Sequence, residues 1–234
     1  PKELETLTDL VDGEGYIAND GDGYLVDSYV LLEAYDAESI YRGHQSNLAS
    51  VKDLKDTDII VFLHDDVEVI SNSWALGEAL EVCRKPGVGF VGVAGAVNLG
   101  RDAIWWNSRQ TGEGRGFVFQ GDENHNMTPN YFGPCGQVVA LDGCLIAATY
   151  ETVKKVGLDQ PDYLTSKWDF YDLHMTLTAH LEGLNNFVVP AIIRHASPGT
   201  PRDGWQQSRQ EFIKKHGKYL PCKLPLEKTL GLPK

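Results

Sequence analysis

Residues 59–68, IIVFLHDDVE, end an apolar run in His64, Asp65 and Asp66. Adjacent carboxylates repel each other and are costly to desolvate unless a cation joins them. Hard oxygen ligands suit Mg²⁺ or Mn²⁺, which bridge to substrate phosphates. The plain alternative is a solvated acidic turn with a helix-capping Asp. The buried run before it favours the metal–phosphate reading, because ligands of open α/β sheets bind beyond the carboxyl ends of strands. His195 closes a second apolar run, 187–193, just before Ala196-Ser197-Pro198-Gly199. A lone His is more often structural, but a neutral imidazole at a strand end is a good metal ligand and fits beside Asp66. Asp172, in the run Trp168-Asp169-Phe170-Tyr171-Asp172, has two readings of equal weight: a charge favoured at a helix start, with Asp169 as the N-cap, or a general base. In Leu141-Asp142-Gly143-Cys144 a carboxylate and a glycine interrupt apolar residues, as a turn or as a close approach to ligand. Trp105, Trp106 and Trp205 are candidates to stack on sugar rings, with core packing as the alternative for each.

These residues need elements to hold them. Residues 29–35 (YVLLEAY), 58–63 and 88–97 predict buried strands, and 39–55 and the stretch after Ser73 predict helices. The order β-α-β-α-β predicts an α/β fold with a mixed, mostly parallel central sheet flanked by helices. Residues 98–134 predict a loop-rich stretch with one strand at 116–120, a small antiparallel extension. Beyond it come a strand-like run at 137–141, an apolar run at 143–149, a short helix at 150–156 closed by Gly157, a helix opened by Asp169 and stopped by Gly183, and a strand over 186–193. Residues 1–28 predict an irregular segment and 206–234 a C-terminal helix and tail, within one domain over 1–234.

The chain has 234 residues and a net charge of −12, with scattered basic residues, which argues against nucleic acid as a partner. An acidic protein that binds an anionic substrate needs a local remedy, and a divalent cation supplies one. No apolar run approaches the about 18 residues of a membrane span. Cys83, Cys135, Cys144 and Cys222 form no CxxC pair and read as free thiols, in keeping with a cytoplasmic location.

The succession VFLHDDVEV, a Trp-containing helix, GVGFVGVAGAV, Trp-Trp, LDGCLIAA, FYDLHMTL and RHASPG resembles family 2-type glycosyltransferases with the GT-A (Rossmann-like) fold. It is similar to the StrF-like branch and to small virus-encoded domains such as those of chloroviruses, for which the location would be host cytoplasm. The resemblance spans about residues 29–205 and implies sugar transfer from a nucleotide diphosphate sugar to a hydroxyl acceptor, with inversion. It implies Mn²⁺ or Mg²⁺ as cofactor and, as the commonest donor of the fold, a UDP-hexose. The acceptor is a glycan or another hydroxyl compound, and other domains of a longer chain are possible partners. HDDV then matches the DxD motif, with Asp66 and Asp65 as metal carboxylates, His195 as the late metal ligand, and Asp65 and His64 on the donor side. Asp172 matches the general base, and Asp142 lies by donor sugar and acceptor. Asp36 matches the acidic end of the second strand, and Trp105 and Trp106 fall on the donor side. The sequence departs from the pattern in several places: His64 stands for the first Asp, Tyr171 replaces the acidic residue before the base, His174 stands at the later acidic position of that helix, and the usual Arg is absent. The opening strand and nucleobase turn of the family have no counterpart in residues 1–28. A non-catalytic carbohydrate-binding module and a metal-dependent phosphoesterase stay open as rivals.

Overall fold

A computed structural model describes residues 32, 34, 37–121, 126–197, 203–225 and 231–233. Its strands are β1 (Ile59–Leu63), β2 (Val67–Val69), β3 (Val88–Gly92), β4 (Ala94–Ala96), β5 (Asn98–Leu99), β6 (Gly114–Gly121), β7 (Met127–Gly133), β8 (Gly136–Val138), β9 (Ala140–Leu141), β10 (Leu145–Thr149), β11 (Asn185–Val188), β12 (Ile193–His195) and β13 (Cys222–Lys223). The helices are α1 (Ile40–Ser50), α2 (Ser73–Leu80), α3 (Tyr150–Val156), α4 (Tyr171–Leu181) and α5 (Trp205–His216). The strand expected at 29–35, with Asp36, lies outside the described residues apart from Leu32 and Ala34.

Two mixed sheets carry the fold. One has the order β1-β10-β3-β11-β8; the other runs β2-β12-β6-β4-β9, with β7 paired to β6. In the first, among the described residues, only β3–β11 is parallel and the other three pairings are antiparallel. The expectation of a mostly parallel sheet is corrected here. β10 follows the Asp142–Gly143 turn with no crossover helix before it, so it runs back between β1 and β3. Those two strands and β11 still share one direction.

The single apolar run 88–97 is buried throughout but is split between the sheets. Its first half is β3 and its second is β4, with Val93 at the junction, accepting from the Phe117 N–H at 3.2 Å. Gly116 holds φ 102°, and a Cβ there would collide with the Val93 carbonyl. A glycine is required for this contact. Likewise 136–141 divides into β8, on the first sheet, and β9, on the second. Alternation along β3 and β10 feeds two cores, Val91 and Ala147 to one, Phe90 and Ile146 to the other. Burying a side chain such as Phe90 contributes about 1.5–3 kcal/mol.

Other elements depart from expectation in readable ways. Ser39 caps α1, accepting from the Arg42 N–H at 3.1 Å, but the helix stops at Ser50, before an extended Val51 and a left-handed Asp53. Asn72, not Ser73, caps α2 through the Ala75 N–H at 2.9 Å. Asp169 does not cap α4: Phe170 takes that place at φ 63°, and Asp169 instead accepts from the Ser166 hydroxyl. The stretch expected as loop contains β7, which forms a hairpin with β6. The strand expected over 186–193 breaks at Pro190 into β11 and β12, on different sheets.

Candidate active site

Register brings the chemistry together. In the β1–β10 ladder Leu63 faces Leu145, so the turn leaving β1 lies against the turn entering β10. The His64 N–H donates to the Cys144 carbonyl at 3.2 Å. In the β12–β2 ladder His195 faces Val67, and the Ala196 N–H donates to the Asp66 carbonyl at 2.8 Å. Three strand ends thus meet where His64, Asp66, Asp142 and His195 emerge. α4 starts beside them: Asp172 accepts from the Gly143 N–H at 3.0 Å and from the Leu173 N–H at 2.8 Å.

The ligand atoms of His64, Asp66 and His195 lie within 4.8 Å of one another. Asp66 Oδ1 is 3.2 Å from His195 Nε2 and 3.9 Å from His64 Nδ1. It is buried without a hydrogen bond of good geometry. A buried carboxylate oxygen left in that state is costly, and a cation would satisfy it. This donor set fits a divalent metal. Asp65, expected beside Asp66 as a ligand, is exposed and outside the trio. His64, expected on the donor side, belongs to it.

The electrostatics separate the roles. Burial would raise the Asp66 pKa, but His195 and His64 outweigh it and the net direction is down. Burial would lower that of His195, yet Asp66 and Asp142 carry it up. His64 is lowered, chiefly by burial. Asp172 is pushed up to about 7, first by burial and then by the charge of Asp142, against the pull of its backbone donors.

The remaining expectations fall out unevenly. The Asp142 carboxylate accepts from the Cys144 N–H at 2.9 Å, which closes the turn before β10. The close approach expected at Gly143 is made by the protein itself, since a Cβ there would collide with the Tyr171 hydroxyl. Trp105 is buried against Phe132, with ring centroids 5.0 Å apart, and so offers no face to a ligand. Trp106 is 38% exposed and lies 5.6 Å from Trp205, which in turn lies 5.4 Å from Phe170, two residues before Asp172. Asp36 lies outside the described residues. Tyr171 was not singled out from the sequence as a site residue, yet its hydroxyl is 2.8 Å from His64 Nε2. The available signal is that both residues depart from the resembled pattern.

A family model described as "Glycosyltransferase like family" matches residues 22–219. The chain belongs to this family. It is a glycosyltransferase-type transferase with a mixed α/β fold, and nucleotide-sugar donors and separate acceptors are the substrates its family suggests. No curated protein matches the chain. Among the described residues no helix is long and apolar enough to cross a membrane.

Proposed function

We propose that the protein transfers a hexose from a UDP-sugar to a hydroxyl of a glycan or similar acceptor, with inversion, using a divalent cation and Asp172 as base. The observation that carries this reading is the adjacency of the metal-ligand set to a carboxylate poised near neutrality. Gly143 connects them, donating its N–H to Asp172 and accepting at its carbonyl from Tyr171 at 2.7 Å, beside His64.

Asp66 and His195, with His64, would hold the cation. When bound, it supplies electrostatic neutralisation of the diphosphate leaving group. Asp172 accepts the acceptor hydroxyl's proton as that oxygen forms its bond to the anomeric carbon. The bond from that carbon to the diphosphate breaks, and its electron pair leaves with the nucleotide. A carboxylate raised to about 7 suits this task, because proton transfer is most efficient when the base's pKa lies near the working pH. The exposed Trp106, backed by the partly buried Trp205, supports a glycan acceptor, since aromatic faces match apolar sugar faces.

Asp172→Asn should reduce UDP release, measured with Mn²⁺ and a panel of glycan acceptors, by roughly 10²–10⁴-fold, while calorimetry shows donor affinity unchanged. In the wild type, kcat/KM should rise with pH through about 7 and level off above it, because only the deprotonated carboxylate accepts a proton. Transfer that persists in Asp172→Asn with the same pH limb sinks the base assignment. Phosphate-ester cleavage without any response to nucleotide sugars would favour the phosphoesterase instead.

A further inference from the structure

We propose that Tyr171 fixes His64 in the Nε2–H tautomer, so that Nδ1 becomes a metal ligand beside Asp66 and His195 and the site prefers a first-row transition-metal cation, Co²⁺ above Mn²⁺, over Mg²⁺. This rests on the reading that a cation is held here.

The argument is a proton count. Tyr171 is buried, and its hydroxyl touches both the Gly143 carbonyl at 2.7 Å and His64 Nε2 at 2.8 Å. The phenol has one proton and a carbonyl can only accept, so that proton goes to Gly143. The hydroxyl oxygen must then accept from the imidazole, and His64 carries its proton on Nε2. A neutral imidazole has one N–H, which leaves the Nδ1 lone pair free. Nδ1 is the nitrogen on the Asp66 side, 3.9 Å from Oδ1. Gly143 keeps the arrangement tight, since the Tyr171 hydroxyl occupies the space that any other residue's Cβ would need.

Such a partner sets the orientation and basicity of a ligating histidine, and its loss typically costs about 10–100-fold in metal affinity. Tyr171 is therefore a positioning residue. The ligand chemistry bears on selectivity. Mg²⁺ demands oxygen ligands and gives up water reluctantly. Imidazole nitrogen suits later first-row ions. Two imidazoles and one carboxylate make a poor Mg²⁺ site but an acceptable one for Mn²⁺ and a better one for Co²⁺.

Two measurements test this without relying on activity. Long-range ¹H–¹⁵N NMR of the metal-free protein should show His64 as the Nε2–H tautomer; an Nδ1–H signal overturns the proposal. Calorimetric titration should show Mn²⁺ and Co²⁺ binding at least about tenfold more tightly than Mg²⁺. Tyr171→Phe should weaken Mn²⁺ by about 10–100-fold with circular dichroism unchanged, and in a His64→Ala background the same substitution should have no effect on Mn²⁺. Unaltered Mn²⁺ affinity in folded Tyr171→Phe overturns the positioning role. If that variant does not fold, His64→Ala alone decides, and unaltered affinity there removes Nδ1 as a ligand. Absence of any cation binding in the wild type removes the underlying reading. Binding that depends on Asp66 and His195 but ignores His64 and Tyr171 removes only this inference.

Discussion

Two clusters of histidines sit in this protein, and they have opposite characters. At the strand ends His64 and His195 flank Asp66, with side chains 15–32% exposed and ligand atoms converging. Between α4 and α5, His174 and His216 flank Tyr163, whose hydroxyl is 2.9 Å from a ring nitrogen of each. That phenol donates its one proton to one ring and accepts from an N–H of the other, so both contacts are satisfied. No carboxylate joins this second trio among the groups that could hold a metal in the described residues. Burial pushes His174 and His216 down to about 4, whereas Asp66 carries His195 upward. The comparison teaches that clustered imidazoles do not make a ligand site. The candidate site differs in holding a carboxylate whose buried oxygen lacks a hydrogen-bond partner, whereas the bridging Tyr163 hydroxyl makes the second cluster a structural pin.

The sharpest way to break this contrast is Asp66→Asn. It should abolish Mn²⁺ binding by calorimetry and lower transfer by at least about 10²-fold, with the fold intact by circular dichroism. Mn²⁺ affinity that survives would mean the two clusters do not differ as argued.

Acid should act mainly on the second cluster. His174 and His216 have folded pKa values below the unfolded 6.5, so the unfolded chain binds more protons between about 4 and 6.5. Their contribution to stability is full above 6.5, falls as pH drops through that window and levels off below about 4. His44, lowered to about 4 by burial, adds to the trend. Asp172 pulls the other way, because its raised pKa makes the folded state bind the extra proton between about 4 and 7. His216→Gln isolates the term: its urea-unfolding free energy should rise less steeply with pH over 4–6.5, by roughly one proton. A slope identical to wild type would contradict the assignment.

The smallest effect is expected for Tyr163→Phe. Loss of a bridging hydroxyl should cost about 1–2 kcal/mol in chemical denaturation, with no change in Mn²⁺ affinity or kcat. A loss of metal binding would show that the pin and the site are coupled.

Much of the site is legible in the sequence because it is written at strand ends. The apolar run before His64 and the run before His195 each announce a strand with polar residues at its end, although β1 is an edge strand among the described residues, with Val61 42% exposed, not the strand covered on both faces that its apolar run predicts. Asp172 is legible as charge at a helix start, although its helix begins at Tyr171 without the cap expected from Asp169. The Tyr171–His64 contact was not legible, because it joins residues 107 apart in sequence. It depends on how α4 docks against β9, β11 and β3, and no local pattern encodes that docking. The division of 88–97 between two sheets escaped for a related reason. An uninterrupted apolar stretch records burial but not a change of neighbour, and only Gly92 and Gly95 mark how closely β9 and β10 approach.

The shared strands carry one more consequence. Residues 88–97 and 136–141 each begin in one sheet and finish in the other, as do β1–β2 and β11–β12, so continuous backbone joins the two sheets at several points. Strands shared in this way oppose a hinge opening between the two sheets. Efforts to retune substrate choice should therefore leave the shared strands, the ligand trio and Asp172 alone and work at exposed neighbours such as Asp65 and Trp106, where a changed side chain alters the surroundings of the site without loosening the seam.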